Sequence, residues 1–100
     1  MLVEKKSEDT VVVAIKLVTG EEIIARKNPH AASPDEVRIS RPLAMVMAEN
    51  PDNPTQTRVM FTPWMVSAGK EIMDIKRIHI IAMVPARADA AEQYEAAIAG

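Results

Sequence analysis

The 100-residue chain contains no cysteine, so neither a disulfide framework nor a thiolate zinc site is open to it. It has only three aromatic residues, Phe61, Trp64 and Tyr94, and its core must therefore be built from Val, Ile, Leu, Met and Ala. It has no excess of positive charge. Twelve Lys and Arg stand against 14 Asp and Glu, each half of the chain is net negative, and a basic tail that grips nucleic acid non-specifically is excluded. No apolar run approaches the ~18 residues needed to cross a membrane. Met1 to Thr10 is polar and mixed in charge, unlike the apolar heart of a signal peptide, so the expected location is the cytoplasm. Gly-x-Ser-x-Gly, a Gly-rich phosphate loop, His-Glu-x-x-His and Cys-x-x-Cys are all missing, and no catalytic residue, cofactor or metal site is expected. What remains, 48% apolar and 26% charged residues, suits one soluble domain.

The periodicity of the apolar residues predicts mostly strand. In Val11 to Val18 the odd positions Val11, Val13, Ile15 and Leu17 are all large and should face inward. Thr19-Gly20 supplies a turn, and Glu22 to Arg26 resumes the apolar run as a second antiparallel strand. Asn28 to Asp35, with Pro29 and Pro34, is a loop. From Glu36 to Ala48 the residues Val37, Ile39, Leu43, Met45 and Met47 share one face. Arg41 interrupts that face directly before Pro42, which predicts a bent or bulged strand. Glu49 to Pro54 reads as an exposed turn. Thr57 to Val66 is apolar on both sides, with Val59, Phe61 and Met65 on one and Met60, Trp64 and Val66 on the other. Glu71 to Val84 switches phase at Lys76-Arg77, from Met73 and Ile75 to Ile78 and Ile80, for which a bulge or sharp bend is the simplest account.

Pro85 ends that strand and presets a helix start. Ala86 to Ala99 carries Ala90, Ala91, Tyr94, Ala97 and Ile98 on one stripe, too narrow and alanine-rich to hold a helix without docking on the rest of the fold or on a neighbouring copy. The organisation expected is a polar tail over residues 1–10, a β body over 11–84 and a C-terminal helix over 85–100.

Few side chains carry chemistry. His30 sits in the loop with Lys27 and Asn28, where it serves equally as a solvated residue or as a binding residue. His79 reads as an ordinary strand-face residue, and Trp64 as core or subunit interface before a stacking platform. The methionines at 45, 47, 60, 65, 73 and 83 fall on predicted strands as core filling. The doublets Lys5-Lys6, Arg26-Lys27 and Lys76-Arg77 read as solvated edges that discourage strand pairing.

Ile15-Lys16-Leu17-Val18-Thr19-Gly20-Glu21-Glu22-Ile23-Ile24-Ala25-Arg26 resembles the opening of the Sm and LSm domain, in which an apolar strand meets a glycine turn and a second apolar strand ends at a nucleotide-binding loop. Val37 to Met45, with Arg41-Pro42-Leu43, is similar to the "nPL" strand of Sm-like proteins from tailed phages and some bacteria. The resemblance runs from Val11 to about Val84. It implies a small, strongly bent, five-stranded antiparallel Sm-like barrel, here followed by a short C-terminal helix in place of the usual N-terminal one. It also implies a homo-oligomeric ring of about five to seven copies, closed by pairing the fourth strand of one copy with the fifth of the next. Thr57 to Val66 and Ile72 to Val84 would be those strands.

Single-stranded nucleic acid, RNA before DNA, is the ligand the resemblance implies. In the first Sm motif an Asp and an Asn are usual; only Asn28 matches chemically. The second motif has Arg or Lys followed by Gly between the last two strands, whereas Ser67-Ala68-Gly69-Lys70 holds the reverse order. The binding mouth expected is therefore Lys27, Asn28, His30 and Lys70, repeated once per copy around a ring. The other reading is a structural ring or assembly module, for instance in a phage particle, whose loops are merely solvated; the cytoplasm would then be that of the host.

Overall fold

The computed structural model describes residues 11–65 and 71–99. Among them are strands β1 (Val11–Leu17), β2 (Glu22–Lys27), β3 (Glu36–Asn50), β4 (Asn53–Pro63), β5 (Ile72–Lys76) and β6 (Ile80–Pro85), a 3-10 turn at Arg77–His79 and helix α1 (Ala88–Ala99). The strands form one antiparallel sheet in the order β4-β3-β2-β1-β6, with β5 alongside the first half of β3. Mainly β structure with one C-terminal helix is the architecture the sequence predicts. The sheet of a single copy is not closed: β6 ends it on one side and the β4/β5 line on the other.

The β1–β2 turn forms because Gly20 takes φ 102, a left-handed conformation that costs glycine nothing. Its amide donates to the Leu17 carbonyl at 2.9 Å, and the Leu17 amide donates to Glu21 at 2.9 Å. The pairing Ile15↔Ile23 and Val13↔Ala25 then stacks apolar side chains on one face. Val13, Ile15, Leu17, Ile23, Ala25, Val37, Ile39 and Ile75 make the buried core, with Trp64, Met73, Ile80 and Met83 packed against it. Each fully buried Ile there stabilises the fold by about 1.5–3 kcal/mol. Val11, expected on the inward face, is exposed, because it lies at the strand end beyond the last residue of β6 to pair with β1, Pro85.

The predicted bulge at Arg41-Pro42 is present, and it is the hinge of the sheet. Ser40 faces Ile72 of β5, whereas Leu43 faces Pro63 of β4. Three residues along β3 thus correspond to nine along the partner side, where β5 gives way to β4. Arg41 itself sits at φ 51, a region that costs a side-chain-bearing residue roughly 1–2 kcal/mol. Beyond the hinge Leu43 and Ala44 still pair with Ile24 and Ile23 of β2, and from Met45↔Phe61 to Glu49↔Thr57 β3 and β4 run on as a two-stranded arm. β4 begins at Asn53, so the turn expected over Glu49 to Pro54 shrinks to Pro51-Asp52, and Pro54 is tolerated because β4 is an edge strand.

Three expectations need correction. The arm is not covered on both faces: Met47 is 66% exposed, and Val46, Val59 and Met60 are exposed as well. Met47, Met60 and Met65 are therefore not core filling in a single copy, whereas Met73 and Met83 are. The last predicted strand is two strands. Of the bulge or sharp bend expected at Lys76-Arg77 the structure has the bend, a 3-10 turn, which places His79 in that turn, exposed, rather than on a strand face.

Helix α1 docks by its predicted stripe. Tyr94 is fully buried, its hydroxyl donates to the Arg41 carbonyl at 2.7 Å, and Arg26 pairs with Glu95. No described helix is long and apolar enough to cross a membrane.

Candidate nucleic-acid interface

The loop from Asn28 to Asp35 is held at both ends by the backbone of the sheet. The Asn28 amide donates to the Arg38 carbonyl at 2.9 Å, and the Glu36 amide to the Ser33 carbonyl at 3.1 Å. Lys27, the last residue of β2, opposes Val11 and Ile39 and is half-buried, as is Asn28; His30 is exposed. These three expected site residues therefore fall within four positions of one another on a rigid strand end, where binding residues are commonly carried.

The 3-10 turn reaches the far end of the same loop. The Arg77 amide donates to the Asp35 carbonyl at 2.8 Å, and its Nε donates to the Pro34 carbonyl at 3.0 Å. The His79 carbonyl accepts from the Val18 amide at 2.9 Å, so the turn bridges the 28–35 loop to β1. Arg77 is a candidate that sequence reasoning missed. Its doublet was read as a solvated edge, yet the two consecutive strands β5 and β6 are joined by Arg77, Ile78 and His79. The basic residue between the last two strands is thus Arg77, with Ile78 where the second motif would have glycine. Lys70, the fourth expected residue, lies outside the described residues.

Ion pairs fix the strand ends around this mouth. Arg38 donates to Asp74 through Nε at 2.9 Å and Nη2 at 3.1 Å, a bidentate pair on directly opposed residues of β3 and β5. Hydrogen bonding from Arg38 holds the Asp74 carboxyl below its ordinary range and raises the Arg38 guanidinium in turn. Two residues along the ladder, Lys76 lies 3.4 Å from Glu36. Lys27 and His30 make no ion pair among the described residues. Among the described residues no group of three or more His, Cys, Asp or Glu could hold a metal.

Trp64 makes its contacts away from the 28–35 loop. It packs against the core and its Nε1 donates to Glu21 at 3.3 Å, which fits the core reading rather than a stacking platform. Glu21 is held below the usual carboxylate range by the Thr19 hydroxyl and then by this indole.

The family model described as the Sm_like domain matches residues 14–95, which takes in the sheet from Ala14 of β1 onward, the 28–35 loop, the Arg77 turn and the first two turns of α1. No individual curated protein matches the chain.

Proposed function

Since the chain belongs to the Sm-like family, whose general role is ring formation and RNA binding, we propose that identical copies close into a ring that holds single-stranded nucleic acid, RNA before DNA, at the mouth built from the 28–35 loop and the Arg77 turn. The observation that carries this reading is the junction of that loop, which has Lys27, Asn28 and His30 at its start, with that turn, whose Arg77 bonds the carbonyls of Pro34 and Asp35 at its end. Lys27 and Lys70 contact phosphates, Asn28 reads a base edge, His30 stacks and Arg77 fixes the loop.

Two free edges support the ring. β6 carries exposed Ile81 and Val84, and the β4/β5 line carries exposed Val59, Met60 and Ile72. Pairing one edge with the other on the next copy satisfies the open backbone groups and covers this apolar surface together. Net charge opposes binding, since every copy is −2. Screening over ~8 Å at physiological salt confines that repulsion to groups near the mouth, and contacts repeated around the ring add through effective concentration. Arg41-Pro42-Leu43 favours a place among the phage-encoded members and hence action in a host cytoplasm.

The test is a titration of oligo-U, oligo-A and single-stranded DNA against the oligomer at two salt concentrations. Lys27→Ala is expected to weaken binding equally for all sequences and to flatten the salt dependence. Asn28→Ala is expected to erode base preference. A Lys27→Ala/Lys70→Ala double variant that stays oligomeric and binds oligo-U as tightly as the parent removes the mouth as a site and leaves the structural ring in its place.

A further inference from the structure

The hinge of β3 is strained, and the groups that hold it come from the end of the chain. Arg41 sits at φ 51, at the point where β3 changes partner from β5 to β4. Its carbonyl accepts from Tyr94 Oη at 2.7 Å, and the neighbouring Ser40 carbonyl lies 3.3 Å from the same hydroxyl. Its guanidinium Nη2 donates to the Ile98 carbonyl at 3.0 Å, at the last turn of α1. The Arg41 amide donates to the Glu71 carbonyl at 2.7 Å, and the Trp64 amide reaches the Pro42 carbonyl at 3.4 Å.

Among the described residues no side-chain hydrogen bond or ion pair joins α1 to the arm beyond the hinge. Between the arm and the first turns of α1 lies an open groove of about 530 Å³, with Met45, Val59 and Phe61 on the arm side and Ala86, Ala90 and Gln93 on the other. A two-stranded ribbon without a packed face is weak on its own, and its angle to the body is set where it joins. Here that is Arg41. We infer that α1 is a clasp, with Tyr94 and Arg41 as positioning residues, which fixes the angle of the β3–β4 arm and so presents β4 in line with β5 as one continuous edge for the next copy. Without the clasp the body keeps its core, because no residue of α1 belongs to the inner cluster, but the edge is broken in two at the hinge. This inference rests on the ring reading for its consequence, and on the hinge geometry alone for the clasp itself.

Tyr94→Phe in the full chain tests both parts, since it removes one hydroxyl and keeps the aromatic ring. Amide exchange is expected to quicken about tenfold at Arg41 and Trp64, the value of one lost hydrogen bond, while β1 and β2 amides hold. The concentration of half-assembly, read by light scattering, is expected to rise at least as much. Arg41→Lys, which loses the planar donor to Ile98, is a second variant expected to move both readouts the same way. Ile15→Val, which weakens the inner core, is the control expected to change neither the Trp64 amide nor the half-assembly concentration by more than about twofold after allowance for global stability. Unchanged exchange in both hinge variants overturns the clasp. Faster exchange with unchanged assembly overturns the coupling. A parent chain that stays monomeric overturns the ring reading and the coupling with it, and the exchange comparison then still decides the clasp.

Discussion

The two halves of β3 read alike in sequence and meet opposite fates. Before the hinge, Val37 and Ile39 are 1% and 0% exposed; after it, Val46 and Met47 are 45% and 66% exposed. Both stretches are apolar, both pair on two or one sides with antiparallel neighbours, and only the first has β1, β2 and β5 side chains gathered over it. Alternation therefore specifies that a strand has an apolar face, but the chain's own supply of covering residues decides whether that face is filled. The surplus after the hinge is what a neighbouring copy would cover.

The sharpest way to break this contrast is to cut the same kind of side chain on either side of the hinge. Ile39→Ala is expected to cost about 2–5 kcal/mol through lost burial and the cavity left, whereas Met47→Ala should leave the unfolding free energy of the dissociated chain within about 0.5 kcal/mol of the parent. Denaturant titration below the assembly concentration measures both, and equal losses would show that the arm is packed after all.

The next largest effect separates folding from assembly. Ile78 is 80% exposed in the 3-10 turn, so Ile78→Asp is expected to leave a folded chain by circular dichroism and to dissociate the ring by light scattering, because a carboxylate desolvated at a subunit interface is costly. Loss of the folded signal would instead place Ile78 in the core of each copy.

The clasp has its own pH signature. Burial pushes the Tyr94 hydroxyl up to about 12 from an ordinary value of 10. The folded state therefore holds this proton more tightly than the unfolded one. Its contribution is complete below about pH 10 and is lost as pH rises toward 12, at ~1.4 kcal/mol per pH unit. A melting series from pH 9 to 12 should show a steeper alkaline fall in the parent than in Tyr94→Phe. The smallest effect belongs to Asp74, whose carboxyl is lowered by Arg38. Its contribution is present above the ordinary carboxylate value and disappears as pH falls through the lowered one, so Asp74→Asn should melt below the parent at neutral pH and converge with it in acid.

Much of this contrast was legible beforehand. The glycine turn, the inward row Val13-Ile15-Leu17, the break at Arg41-Pro42 and the stripe around Tyr94 all follow from periodicity and from what Gly and Pro do to a backbone. The end of the sheet was not. A change from odd to even phase across Lys76-Arg77 arises equally from one bulged residue or from one turn of 3-10 helix with its three residues per turn. Arg77 was missed for a related reason: its partners are the carbonyls of Pro34 and Asp35, and backbone acceptors leave no trace in a sequence. The exposure of the arm was hidden because residue pattern reports apolar surface, not how many copies share in covering it.

The position of β1 has a consequence for the order in which the molecule comes together. It lies between β2 and β6 in the sheet, with Val13 opposite both Ala25 and Pro85. One neighbour is a hairpin away and the other is nearly the whole chain away. On the ribosome, at ~5–20 residues per second, β1 and β2 can pair early, but the second edge of β1 has no partner until β6 has emerged. Folding is thus gated by a contact of long sequence separation, which slows it relative to a chain of local hairpins. For those seconds Val13, Ile15 and Leu17 line an open apolar edge, and mispairing with another nascent chain competes with completion. Helix α1 follows β6 directly, so the strand that completes the sheet and the residues that hold its hinge arrive together, after the other strands.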